Sequence, residues 1–111
     1  MAEKVLKKEE WKEYLSDFSS NYQTRYSTLS VEEPGLEETV IFEALPLIAI
    51  EPDLKNRTPH IEIIAGDLAG ENPDNITHTI NNPQEITVDE NDGVENIIII
   101  TEEGRITLEI I

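Results

Sequence analysis

The hydrophobic period of this 111-residue chain changes once, near Arg25, and that change limits the folds open to it. Before it, Trp11, Tyr14, Leu15, Phe18 and Tyr22 recur at intervals of three and four, with charged residues between them. That spacing is one apolar stripe of an amphipathic helix over residues 8–22. Glu9 and Glu10 suit its positive N-terminal end, and the Ser19-Ser20-Asn21 cluster weakens its last turn. After Arg25 the chain alternates with period two, in runs broken by Pro, Gly, Asn and Asp. Strands are predicted at residues 26–32, 38–51, 60–65, 85–89, 95–101 and 105–111. Residues 52–59 read as a polar loop and 66–83 mostly as loop, although Ile76, His78 and Ile80 alternate within the latter. The expectation is one α+β domain over residues 1–111, with the helix packed on a mainly antiparallel sheet of about six strands.

Three local signals sharpen this expectation. Pro46 interrupts a long β-rich run and cannot donate to a ladder, so it belongs at a bulge, an edge or a bend. Asn91-Asp92-Gly93 between two alternating runs marks a hairpin, and with Glu102-Glu103-Gly104 it makes the last third a three-stranded meander. Ile97 to Ile100 is apolar on both faces of its strand. Such a strand is normally central and covered on both sides. One helix covers one side; the other needs a curled sheet, the 66–83 segment or a second copy. Ile110-Ile111 adds apolar surface to what reads as an edge strand. A homodimer is therefore expected, with a tightly curled monomeric sheet as the alternative.

Charge excludes several partners. Up to Arg25 five bases balance five acids, whereas afterwards Lys55, Arg57 and Arg105 face nineteen acids, so that part holds the whole net charge of −16. A field of that sign repels phosphate backbones and anionic lipid surfaces, which argues against direct nucleic-acid or membrane binding and leaves solubility, divalent cations or a basic protein partner. Leu, Ile, Val and Phe still make 32 of the 111 residues, enough for a core. The longest apolar run, 44–50, is far too short to span a bilayer, and the N-terminal residues show no apolar export segment. A cytoplasmic location is expected. With no Cys, there is no disulfide framework and no thiolate chemistry.

Few residues carry candidate chemistry. His60 and Glu62 lie two apart on one strand face, and His78 lies downstream; two His and one Glu are a zinc-type donor set, so these three are the metal candidates. Their spacing matches no ligand motif. Asp89-Glu90-Asn91-Asp92-Gly93 fails the calcium-loop register, which puts Gly at position six and Glu at twelve. No nucleophile elbow and no phosphate-cradling glycine loop is present. No catalytic residue and no cofactor are assigned, and the sequence leans against an enzyme.

The run Leu6-x-x-x-Glu10-Trp11-x-x-Tyr14-Leu15-x-x-Phe18-Ser19, then Leu45-Pro46-Leu47-Ile48-x-Ile50, then His78-x-Ile80-x-x-Pro83-x-x-Ile86-x-Val88-Asp89-Glu90, resembles a family of small bacterial single-domain proteins of unknown function. The resemblance implies a compact, cytoplasmic α+β protein in which Trp11 and Phe18 anchor the helix and Pro46 bends a core strand. It brings no activity, cofactor or catalytic residue. A shared site would lie at His78 to Pro83, unless that piece is simply a Pro-bounded turn that sets the next strand's register. The first functional reading is a non-catalytic, self-associating interaction or accessory module. A metal-dependent or hydrolytic enzyme using His60, His78 and nearby carboxylates is the alternative, and an acidic nucleic-acid mimic ranks below it.

Overall fold

The computed structural model describes residues 2–55, 57–66 and 75–111. A 3-10 turn at Lys8–Glu10 leads into α1 at Trp11–Asn21. The Glu10 carboxylate accepts the Lys7 backbone N–H at 3.1 Å, satisfying a donor at the helix start. Among the described residues eight strands accompany the helix: β1 (Ala2–Val5), β2 (Tyr26–Glu32), β3 (Thr39–Asp53), β4 (His60–Ala65), β5 (Ile76–Asn81), β6 (Glu85–Asn91), β7 (Val94–Ile100) and β8 (Arg105–Ile110). All pairings are antiparallel, in the order β1-β6-β7-β8-β2-β3-β4-β5. The α+β class holds, with two strands more than the periodicity showed.

β1 has one large apolar side chain, Val5, and no alternation to betray it; it is a strand because its backbone pairs with β6. β5 is the alternating Ile76–Ile80 piece, within a stretch read mostly as loop. The rest of that reading, at 67–74, lies outside the described residues, as does Asn56 of the 52–59 loop.

Pro46 sits where β3 changes partner. Up to Pro46 the strand pairs with β2, and from Leu47 it pairs with β4, with a register shift between Leu47 and Ala49. Ala44, just before it, has φ 53°, so the backbone breaks the ladder where a missing N–H does no harm. The second hairpin signal also holds: Asn91 pairs with Val94, and Asp92 and Gly93 both have positive φ (54° and 79°), as a type I′ turn requires.

The sheet curls strongly. β5 and β6 stand six places apart in strand order, which in a flat sheet would separate them by about 29 Å. Only residues 82–84 join them, a span of roughly 14 Å at most. The sheet therefore forms an incomplete barrel with β1 and β5 as its edges. Its interior holds Leu29, Leu47, Ile61, Ile63, Ile86, Ile97, Ile99 and Leu108, all essentially inaccessible to solvent.

α1 stops one end of this barrel. Trp11, Leu15 and Phe18 point into the common core. Ser19 Oγ accepts the Ile50 N–H at 3.1 Å, and just past the helix the Thr24 N–H donates to the Leu47 carbonyl at 2.8 Å.

The Ile97–Ile100 run divides as its parity requires. Ile97 and Ile99 face the core at 1% exposure, whereas Ile98 and Ile100 stay partly exposed on the outer face. The expectation that the C-terminal strand forms an edge is corrected, because β8 lies between β7 and β2 and pairs along its length with both.

Candidate functional site

Spacing within a strand decides which candidate residues share a face. His60 and Glu62 both point outward from β4, where His60 Nε2 lies 3.8 Å from Glu62 Oε1 and 4.0 Å from Asp53 Oδ2. Asp53 joins them because it pairs directly with His60 across the β3–β4 ladder. These are loose, solvent-facing contacts, of a kind worth little in stability. His78 pairs with Ile63, a core residue, so it faces the opposite side of the same sheet. The three candidates therefore do not converge, and the enzyme reading that needed them in one cleft lacks its geometry. Among the described residues no three His, Asp or Glu side chains are grouped as a cation site.

His78 instead lines the open end of the barrel. α1 bonds near the starts of β2 and β7, whereas the ends of those strands, at Val31 and Ile100, lie at the other mouth. There a cavity of about 140 Å³ runs between His78–Asn81 and Val31, Glu33, Thr101, Glu103, Gly104 and Ile106. A second, of about 220 Å³, continues it past Leu36, Glu37, Thr39 and Ile41. Val31, Glu33 and His78 belong to both, so the two form one groove.

Burial pushes the His78 imidazole below the ordinary histidine range. Its folded pKa thus lies under the unfolded value, so its contribution to stability is present above about pH 6.5 and is lost as the pH falls through the folded value. The stability difference between wild type and His78→Gln is expected to shrink between pH 7.5 and pH 5, as measured by urea unfolding. A difference independent of pH would show that the imidazole is fully solvated.

A further polar constellation was invisible in the sequence. The Tyr14 hydroxyl donates to Glu95 Oε2, and the Glu95 backbone N–H donates to the Tyr22 hydroxyl at 3.2 Å. Burial, then the hydrogen bond and charge of Glu95, raise the Tyr14 phenol far above its usual range. These bonds fasten the helix to β7 through Tyr14 within it and Tyr22 just past its end. Tyr14 and Tyr22 stood out only as members of an apolar stripe, and nothing in the chain marks Glu95, 81 residues away from Tyr14, as their partner.

Among the described residues no helix is long and apolar enough to cross a membrane. No solved structure matches the chain. An uncharacterised protein of Aquifex aeolicus is 30% identical over 105 residues, which cover 94% of this chain and 86% of that protein. A family model described as a family of unknown function matches residues 2–110, so the anchored helix, the strand that switches partner at Pro46 and the His78 mouth belong to a member of the DUF5335 family.

Proposed function

We propose that the protein is a non-catalytic interaction module that self-associates through the outer face of its sheet. One row of residues carries the reading. Val5, Thr87, Ile98, Thr107, Ser30 and Val40 are successive cross-strand partners on β1, β6, β7, β8, β2 and β3. None of the six is charged, although the chain bears a net charge of −16. Val5 and Val40 are 57% and 50% exposed. On one side the row is bordered by Glu3, Asp89 and Glu109, and on the other by Glu85, Ile100, Arg105 and Glu32.

An uncharged stripe, β-branched at all but Ser30 and flanked by charge, suits a second copy of the same face, related by a two-fold axis. Sheets pack face to face in this way about 10 Å apart. The carboxylates of this face lie in two short rows around an uncharged one, which does not match the continuous stripe a nucleic-acid mimic needs. The reading includes a cytoplasmic setting, checked by fractionating cells that express the tagged chain.

Size exclusion with light scattering is expected to give a dimer at tens of micromolar. Because two strongly acidic copies repel, the dimer should tighten as salt rises. Ile98→Lys is expected to give a monomer with little change in the unfolding of the fold itself. A wild-type monomer at tens of micromolar in both low and high salt would overturn the reading.

A further inference from the structure

The barrel mouth opposite α1 combines three properties that together define a ligand class. Its walls are aliphatic: Val31, Leu36, Ile41, Ile80 and Ile106 line the groove. Its charged lining is mainly acidic: Glu33, Glu37 and Glu103 line the two lobes, and among the described residues the one base nearby, Arg105, lines an adjoining pocket that shares Glu33, Thr101 and Gly104 with them. Among the described residues the one imidazole lining it is that of His78, half-buried on the inward face of β5. We propose that this mouth binds a small amphiphilic cation, an ammonium or guanidinium group on a short aliphatic body.

The aliphatic part would lie between Val31 and Ile41 on one wall and Ile80 on the other, where the curl of the sheet leaves a gap that no described side chain fills. The mouths of small β-barrels are common ligand sites, and the two lobes together fall at the lower end of the usual size range, roughly 300–1,000 Å³. The charged end would meet Glu33 and Glu103, which approach from the β2–β3 and β7–β8 connections. An anion would meet three carboxylates, against the single guanidinium of Arg105 in the adjoining pocket. A neutral imidazole adds an acceptor for an N–H donor without repelling it, and burial favours the neutral form of His78 near pH 7.

The site also has a rigid frame. Gly104 approaches the Glu32 backbone so closely that the two connections are held against each other, which fixes where Glu33 and Glu103 stand. Thr101 Oγ1 accepts the Glu103 and Gly104 N–H groups at 3.2 Å, ordering the second connection. The mouth lies inside the barrel and the self-association face outside it, so the two readings succeed or fail separately.

The test is a two-dimensional amide NMR titration of the full chain with n-hexylammonium, hexanoate and hexanol. Hexylammonium is expected to produce saturable shifts at Val31, Glu33, His78 and Thr101, while hexanoate produces none. The double variant Glu33→Gln, Glu103→Gln should weaken hexylammonium binding roughly tenfold. Glu9→Gln with Glu13→Gln, exposed on the 3-10 turn and on the first turn of α1, should leave it unchanged. The proposal is overturned by hexylammonium shifts that are absent or scattered over the acidic surface, by equal binding of hexanol, or by equal loss in both double variants.

Discussion

Phe18→Ala is expected to lower the unfolding free energy by about 3–5 kcal/mol, the range for truncating a buried phenylalanine. Phe18 is 2% exposed and sits between the rings of Tyr14 and Tyr22, with centroid distances of 6.2 and 4.5 Å and tilted planes. Its removal leaves a cavity under the middle of α1, with Trp11 and Leu15 holding one side of the helix and the Tyr14–Glu95 bond the other. Domains of this size are stable by only about 5–15 kcal/mol, so the variant should sit close to unfolding at room temperature. Trp11 is the only tryptophan and is 4% exposed, which makes its fluorescence a direct reporter in a urea titration. A loss below about 1 kcal/mol, the size of a surface change, would mean that the helix is not held by its aromatic stripe.

Gly104→Ala is the second substitution with a large expected effect, about 1–3 kcal/mol. The reason is proximity rather than backbone freedom. A Cβ at this position would stand 2.4 Å from the Glu32 carbonyl oxygen and 3.2 Å from the Glu33 Cα. Both are backbone atoms, one in the last residue of β2 and one just past it, so the clash cannot be relieved by a side-chain rotation. Gly35 and Gly93 differ: an added Cβ meets nothing within 4 Å there, and the penalty comes only from their positive φ. Pushing the two connections apart should also displace Glu33 and Glu103. The same amide spectra used for the mouth should then show Gly104→Ala shifts concentrated at residues 31–37 and 101–106. Thermal unfolding at wild-type temperature would show that the close approach of these two connections is not needed for stability.

The legible parts of the fold were those whose signal lies within a few residues. The aromatic stripe from Trp11 to Tyr22 specifies a helix and its buried face because side chains three and four apart share one side of it. Asp92-Gly93 specifies its hairpin because the turn demands positive φ at both residues. Pro46 marks a break in a ladder because it lacks the donor. β1 escaped for the converse reason: Ala2-Glu3-Lys4-Val5 has no pattern of its own, and its strand conformation comes from β6.

Candidate chemistry divides along the same line. That His60 and Glu62 share a face follows from their parity on one strand, and the structure keeps them together. That His78 faces the other way depends on pairing with Ile63, a register between two strands that neither strand encodes alone. Asp53 beside His60 and Glu95 beside Tyr14 are further products of register and packing.

By itself, then, the amino-acid order determined one amphipathic helix, the alternating strands with their turns, the acidic excess after Arg25 and the apolar character of Ile97 to Ile100 on both faces. The tertiary structure alone decided that β8 is interior, that the sheet curls until three residues can join β5 to β6, and that one end is stopped by the helix while the other is left open beside His78. The physical reason is the range of the forces involved. Dihedral preference and periodicity act over a few neighbouring residues. Strand order and register are settled only when distant segments share hydrogen bonds and bury one common core.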